Sequence, residues 1–448
     1  MGDATLQAGT LQRLLVITYY FPPHVAVGGL RWAGITKHLA RLGWEVAIVT
    51  AVAPDGNGTP RGVRVESCAR RGTLFDAARL LRRLILGAAL GRSPTSRGAR
   101  QAGPPGPLRQ LGREVAAFLT FPDESRGWML RAAWRTRRLV RAFQPQVVVS
   151  SGPPHAAHLV AGIATIGSPV RWFVDLRDPW GGPLPEILRS HPRFGTRVFR
   201  TLAPRLERLA FRFADGVITN THQLAAVLRA RYPEVSVACV PNGVDPERLP
   251  SPAPHPYPGL GIAYAGSMYA GRDFGPVVRA LGIFFERHPE AARAGSKLRV
   301  VGEIGPDHAR AFHDVVAAVG IPQHVEVLGP LPRGQALEVV SRSRLAVVLA
   351  QQQELQIPAK LYESVAMGIT TLVVAPADSA AGIEGTRLGA LVRDADDVEG
   401  IACVLEHLWR DGFQPRSPCA APITYDVIAP LADQLLRHAL NNPTTAGS

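Results

Sequence analysis

The sequence predicts an α/β protein made of two doubly wound parallel sheets that face a shared cleft. Three observations predict it. Short apolar runs alternate with helical stretches from Leu14 to Ala375, the pattern of parallel sheets covered by helices on both faces. A connector rich in proline, Ser251-Pro252-Ala253-Pro254-His255-Pro256, interrupts that pattern midway and divides the chain. A glycine pair, Gly28-Gly29, stands between the first strand and the first helix, where doubly wound sheets turn toward their ligands.

The elements follow in order. Leu14 to Thr18 is an unbroken apolar run and reads as a buried strand. A loop over Val27-Gly28-Gly29 leads to a helix from Leu30 to Leu42, Gly43 stops it, and Glu45 to Thr50 is the next strand. This is a βαβ unit. Its glycines do not follow G-x-G-x-x-G and no acid stands where a dinucleotide ribose would need one, so a nicotinamide cofactor is poorly supported. Further strands are expected at Val147–Ser150, Arg171–Leu176, Gly216–Thr219 and Val235–Val240. After the connector they continue at Gly261–Tyr264, Lys297–Val301, Val325–Leu328, Leu345–Leu349 and Thr371–Ala375. The expected division is a first domain over 1–240, a linker over 241–256 and a second domain over 257–425. A last helix over 426–448 returns to the first domain and frays at its end. Gly91 to Gly106 reads as a surface loop.

At 448 residues, 46% hydrophobic and 19% charged, the chain is globular and long enough for two full cores. Cys68, Cys239, Cys403 and Cys419 are scattered, which argues against a zinc or disulfide framework and for a reducing compartment. No long apolar run suits a membrane span and the N-terminus lacks the form of a signal peptide; a cytoplasmic protein is expected. The net charge of +14 is concentrated: Arg70 to Arg141 holds sixteen Arg against four acids. Such a block seeks polyanions. Within it Leu80-Leu81-Arg82-Arg83-Leu84-Ile85-Leu86 suits an interfacial amphipathic helix, so a peripheral position on an anionic membrane surface is expected, against the alternative of a solvated Arg-rich surface. No nucleic-acid-binding module accompanies the charge, and no nucleic acid partner is expected.

The segment with the clearest chemistry runs from Ile357 to Gly368. Pro358-Ala359-Lys360-Leu361 opens a helix, and Glu363 lies about one turn after Lys360. A helix start offers unpaired N–H groups and a positive dipole end to a diphosphate, Lys360 adds a compact charge, and a carboxylate at Glu363 can accept from both hydroxyls of a ribose. Only three of the 50 basic residues are lysine, Lys37, Lys297 and Lys360. Asp394-Ala395-Asp396-Asp397 imitates a metal-binding D-x-D but reads as a solvated helix start.

With these motifs in order, the chain resembles a family 4 glycosyltransferase of GT-B architecture, two Rossmann-like domains facing a central cleft. The resemblance rests on Tyr20-Phe21-Pro22-Pro23 through Gly29 and Arg31, Phe121-Pro122-Asp123 with Trp128, Ser150-Ser151-Gly152-Pro153-Pro154-His155, and Asp175-Leu176-Arg177-Asp178-Pro179-Trp180. The second half supplies Pro241-Asn242-Gly243-Val244-Asp245, Tyr264-Ala265-Gly266, Val301-Gly302 and the Pro358 to Gly368 segment. The nearest subgroup is similar to bacterial transferases of exopolysaccharide, O-antigen and other envelope glycans. The resemblance implies a sugar moved from a nucleoside diphosphate donor to a glycan or lipid-linked acceptor, with retention of configuration and no required metal or other cofactor. It implies donor contacts at Gly28, Gly29, Gly266, Gly302, Pro358, Ala359, Lys360, Leu361 and Glu363. Arg272 and Lys360 would face the departing diphosphate, and His155, Arg177 and Asp178 would stand near the sugar.

Three departures from the family pattern stand out. Leu355 occupies the place of the first of two glutamates, Gly266-Ser267 stands for Gly-Arg, and Arg177-Asp178 for His-Asp. They leave open an enzyme that hydrolyses or epimerises sugar nucleotides, a transferase for soluble acceptors, and a sugar-nucleotide binder without activity.

Overall fold

The computed structural model describes residues 11–24, 27–54, 59–72, 107–182, 196–251, 253, 256–268, 271–411 and 423–442. The first domain carries strands β1 (Gln12–Thr18), β2 (Trp44–Thr50), β3 (Val63–Ser67), β4 (Val147–Gly152), β5 (Arg171–Leu176), β6 (Gly216–Thr219) and β7 (Val237–Cys239). Its helices are α1 (Val27–Arg41), α2 (Pro107–Thr120), α3 (Arg126–Phe143), α4 (Ala156–Thr165), α5 (Arg197–Phe213) and α6 (His222–Arg231). All strands pair in parallel, in the order β3-β2-β1-β4-β5-β6-β7.

The second domain carries β8 (Gly261–Ala265), β9 (Lys297–Val301), β10 (Val325–Gly329), β11 (Leu345–Leu349), β12 (Thr370–Val374) and β13 (Leu391–Arg393). Between them lie α7 (Gly275–Arg287), α8 (Pro289–Arg293), α9 (Pro306–Val319), α10 (Arg333–Ser341), α11 (Ala359–Ala366) and α12 (Ala380–Arg387), and α13 (Val398–Arg410) follows β13. This sheet is also parallel, in the order β10-β9-β8-β11-β12-β13. Each sheet reverses its winding at one place, between β1 and β4 and between β8 and β11. The crevices at the carboxyl ends of those strand pairs are where such sheets bind ligands.

The continuous apolar runs are explained by burial on both faces. In β1, Leu15 and Ile17 pack with Trp128 and Trp172 on one face, while Leu14 and Val16 pack with Trp32 and Tyr425 on the other. The second sheet divides in the same way: Val347 and Leu349 join Phe274 and Phe284, and Val348 joins Leu361 and Tyr362.

Two strands escape the sequence reading. β3 alternates Val63 and Val65 with Arg64 and Glu66, the mark of an edge strand, and β13 is three residues long and ends on Arg393. Gly28 and Gly29, read as a loop, lie in the first turn of α1. The Leu80 to Leu86 helix and the Gly91 to Gly106 loop fall outside the described residues. Helix α14 (Tyr425–Asn441) packs along α1 of the first sheet, burying Tyr425, Ile428, Ala432 and Leu436. Asp433 accepts from Trp44 Nε1 at 2.6 Å. No described helix is long and apolar enough to cross a membrane.

Candidate active site

A cleft of about 390 Å³ lies between the sheets and takes its walls from both domains. Its floor on the second domain is the crevice between β8 and β11. Pro358 caps α11 with an extended backbone, φ −60° and ψ 129°, and accepts from Leu361 N at 3.0 Å. The first N–H groups of α11 lie at the cleft, since Ala359 and Lys360 line it.

The Lys360 side chain runs back toward the end of β8, as helical side chains do. Its ammonium nitrogen lies 3.8 Å from the centre of the Tyr264 ring, shielded from water and without a hydrogen-bond acceptor among the described residues. Burial, and then the Arg272 charge, push its pKa well below the ordinary 10.5, while Glu363 pulls weakly the other way. Gly266 makes this position available. It has φ +145°, and a Cβ there would meet Lys360 Nζ at 2.3 Å. Arg272 is 9% exposed and donates to Ser267 O at 2.9 Å. Two desolvated cations thus share one wall of the cleft.

Glu363 lies at the same end of α11 and accepts from Arg333 Nη2 at 2.6 Å. Arg333, the first residue of α10, also donates to Arg248 O at 3.3 Å. A carboxylate held from one side keeps lone pairs for the other, so Arg333 orients Glu363 as well as neutralising it. The motif reading missed Arg333, because its only sequence signal is its place one residue after Pro332 at a helix start.

The first domain contributes Arg177 and Asp178, just after β5. The Arg177 guanidinium lies against the start of α1: a Cβ on Gly28 would meet Arg177 Cζ at 2.2 Å. The space over Gly28, expected to admit the donor phosphates, is therefore taken by Arg177, which also donates to Pro153 O. Asp178 accepts from Gln356 Nε2 across the cleft. A second contact between domains lies beside it, where Leu355 O accepts from Thr221 Oγ1 at 2.8 Å and the Leu355 side chain packs on the first domain's core. The position where a glutamate was expected is thus an apolar anchor. Gln353 and Gln356 line the cleft near it, and the sequence reading did not single them out.

Beneath this wall sits a fully buried ion pair. Arg31 Nη2 meets Asp175 Oδ1 at 3.0 Å with both side chains at 0% exposure. Arg31 further donates to Val240 O at 2.8 Å and Pro241 O at 2.7 Å, and Asp175 Oδ2 accepts from Trp32 Nε1 and Ser151 Oγ, each at 2.7 Å. Burial alone would raise the Asp175 pKa; Arg31 and these donors hold it below its usual value.

Of the residues expected at the site, Gly266, Arg272, Pro358, Ala359, Lys360, Glu363, Arg177 and Asp178 line the cleft. Gly28, Gly29, Gly302, Leu361 and His155 do not. Gly302, at φ +133°, is required by a close crossing, since a Cβ there would meet Gly266 O at 2.3 Å. Leu361 is in the core. His155 stacks on Trp180 at 5.1 Å, beside His158, whose pKa burial lowers to about 3. The D-x-D imitation is a helix start: Asp397 accepts from Gly400 N at 2.9 Å and Asp394 from Asp396 N at 3.2 Å.

Residues 31–248 match the family model described as Glycosyltransferase Family 4. No curated protein matches the sequence. Among solved structures, the fold is similar to sucrose-phosphate synthase from Thermosynechococcus elongatus, with a TM-score of 0.61 at 15% identity over 96% of this chain and 99% of that one. It is also similar to HepE from Anabaena in complex with UDP and glucose, with a TM-score of 0.56 at 14% identity over 96% and 100%. A third is a UDP-N-acetylglucosamine 2-epimerase, so described, from Listeria monocytogenes, with a TM-score of 0.55 at 13% identity over 97% and 98%. At such identities these likenesses speak for the fold, and the family match speaks for the chemistry. Residues 31–248 thus carry a Glycosyltransferase Family 4 domain, and the two facing sheets make the chain a transferase enzyme of GT-B fold.

Proposed function

We propose that this enzyme moves a sugar from a nucleoside diphosphate donor to a cell-envelope or lipid-linked glycan, with retention of configuration and no required metal. The observation that carries the reading is the pairing of buried Lys360 with Arg272 at the start of α11. A lysine ammonium shielded from water without a hydrogen-bond acceptor, with an arginine beside it, is costly unless an anion joins it, and a diphosphate has the charge and size to do so. In the ground state that diphosphate is already anionic. As the bond from the anomeric carbon to its oxygen breaks, more charge collects there, so Lys360, Arg272 and the N–H groups of Ala359 and Lys360 act most strongly in the transition state. Glu363, oriented by Arg333, accepts from the ribose hydroxyls. Arg177 and Asp178 face the sugar from the opposite wall, and Gln353 and Gln356 offer amide contacts where the family glutamate is absent.

HepE from Anabaena has been seen with UDP-glucose, which makes UDP-sugars the first donors to try. A panel of UDP-, GDP- and dTDP-sugars is screened for thermal stabilisation, since a ligand that binds only the folded protein raises its melting temperature. The best donor is then followed for turnover with and without acceptor, in EDTA. Stabilisation by a donor, with turnover that depends on acceptor and survives EDTA, is the expected result. Loss of activity in EDTA with recovery in Mg²⁺ refutes the metal-free part. Donor breakdown or C2 epimerisation without acceptor refutes transfer. The same reading puts the enzyme at an anionic membrane, where such an acceptor would be met; the excess of arginine over acid in the first domain supports it.

A further inference from the structure

Two hollows meet at the end of the first sheet opposite the cleft, and the transfer chemistry uses neither. One, of about 590 Å³, is apolar and lies between α4 and α5, with Ile163, Ile166, Leu206, Leu209 and Phe213 on its walls. The other, of about 500 Å³, is lined by Arg13, Arg137, Arg141 and Arg171 and by no acidic residue. They are continuous, sharing Ile166, Gly167, Ser168 and Val170.

The charges in the basic hollow are not equivalent. Arg13 and Arg171 are countered by Glu45 at 2.8 Å and Asp215 at 2.6 Å. Arg137 instead reaches Ile166 O at 3.2 Å, and among the described residues no carboxylate pairs with Arg137 or Arg141. These two stand one turn apart on α3 and leave a net positive pair at the mouth of an apolar groove. The groove's rim is bare: Phe213 is 68% exposed and Ile166 65%. The α3 stripe that carries both arginines continues through Trp134, 59% exposed, and Leu130, 73% exposed, with the Arg138 guanidinium 4.8 Å from the Trp134 ring. Large exposed apolar groups beside unpaired arginines are the composition of a surface that enters a lipid interface.

We propose that this face seats an anionic phospholipid of a bilayer, its phosphate between Arg137 and Arg141 and an acyl chain along Ile166, Leu209 and Phe213. The inference deepens the membrane part of the reading above and is independent of the transfer chemistry. A second copy of the chain fits the groove poorly, because a two-fold contact would set the same positive pair against itself. A nucleic acid would satisfy the arginines but not the groove. The six residues of β4 separate this face from the cleft by about 20 Å. An acceptor anchored in the same bilayer therefore reaches the cleft only through a glycan that spans roughly that distance, so the favoured acceptor is an already elongated lipid-linked chain.

The test uses the full chain and phosphatidylcholine vesicles with or without phosphatidylglycerol. Wild type is expected to bind the anionic vesicles. R137Q/R141Q is expected to lose about thirtyfold in affinity, from about 1 kcal/mol per Arg at 1.4 kcal/mol per tenfold. Ile166→Ser with Phe213→Ser is expected to abolish the binding that survives high salt, while Arg70→Gln with Arg71→Gln, basic but outside the groove, retains it. Equal binding to both vesicles, or unchanged binding in the two groove variants, overturns the proposal. So does a wild-type dimer in light scattering that Phe213→Ser converts to monomer, since a second copy would then cover the groove. Stabilisation by sugar nucleotide is measured on the same samples; its absence in wild type counts against the transfer reading alone.

Discussion

Replacing Lys360 with methionine is expected to make the protein more stable and a worse enzyme. Methionine keeps the length of the side chain and its packing over Tyr264 while removing a charge that has no hydrogen-bond acceptor and sits beside Arg272. Exchanging buried ionic groups for apolar ones of similar volume is often stabilising by about 1–4 kcal/mol. Taking 1–2 kcal/mol, and about 2–4 °C per kcal/mol for a domain of this size, the melting temperature rises by about 2–8 °C. Donor binding moves the other way. Losing one charge-assisted hydrogen bond to a diphosphate costs about 1.5–3 kcal/mol, or about 10- to 150-fold in Kd. The pH dependence has a definite sign. Folding depresses the Lys360 pKa below its ordinary 10.5, so between the folded value and 10.5 the unfolded chain holds more protons and stability rises with pH. A bound diphosphate restores the proton, so donor affinity falls as pH rises across the same window. Differential scanning calorimetry with and without UDP reads the stability. Titration calorimetry in two buffers of different ionisation enthalpy reads the proton uptake. A lower melting temperature with unchanged UDP affinity in Lys360→Met, or no proton uptake in wild type, refutes the reasoning.

Glu363→Gln is expected to weaken the free nucleoside diphosphate at least about tenfold without unfolding the protein, by loss of a charge-assisted hydrogen bond to ribose; an unchanged Kd removes the ribose assignment. Arg272→Ala is expected to lower kcat by about 10²-fold or more with a smaller effect on KM, because the charge it meets grows as the bond breaks; near-normal kcat in EDTA contradicts it. Gly266→Ala puts a methyl 2.3 Å from Lys360 Nζ at a backbone φ of +145°. It is expected to cost about 1–3 kcal/mol of stability and to abolish stabilisation by UDP, and a normal UDP-induced shift counts against this geometry. Asp175→Ala leaves the Arg31 guanidinium buried and unpaired, a loss of about 3–5 kcal/mol, which appears as a lower urea midpoint; an unchanged midpoint shows that the pair does not hold the wall.

The fold was legible where burial on both faces wrote continuous apolar runs. Leu345–Leu349 has the same ends in sequence and structure because this central parallel strand is apolar on both faces. Lys297–Val301 matches too, although it carries Arg299, whose guanidinium stacks on Tyr257 at 3.6 Å. β3 was not legible, since an edge strand with one wet face looks like a charged loop. At the site, Lys360 and Glu363 could be read because a helix start organises both locally. Arg333, Gln353 and Gln356 could not, because their places depend on contacts between segments far apart in sequence. Arg333 meets Glu363, 30 positions away, and Gln356 meets Asp178, 178 positions away. The small size of Gly28 was visible in the sequence; that the guanidinium of Arg177 needs it was not.

The chain crosses between the two domains twice, and the crossings touch. Val244 N donates to Ile423 O at 2.8 Å, Tyr425 N donates to Val244 O at 3.1 Å, and Val244 and Thr424 form a parallel bridge. A single connector would let one domain swivel on the other. Two backbones stapled side by side behave as a strip, which bends readily across its flat face and resists torsion. Such a joint opposes twisting of one domain against the other more than bending. Resistance to twisting keeps Arg177 and Asp178 in register with Lys360 and Gln356 across the cleft. The alignment of the two cleft walls is thus set by backbone hydrogen bonds at the joint between the domains.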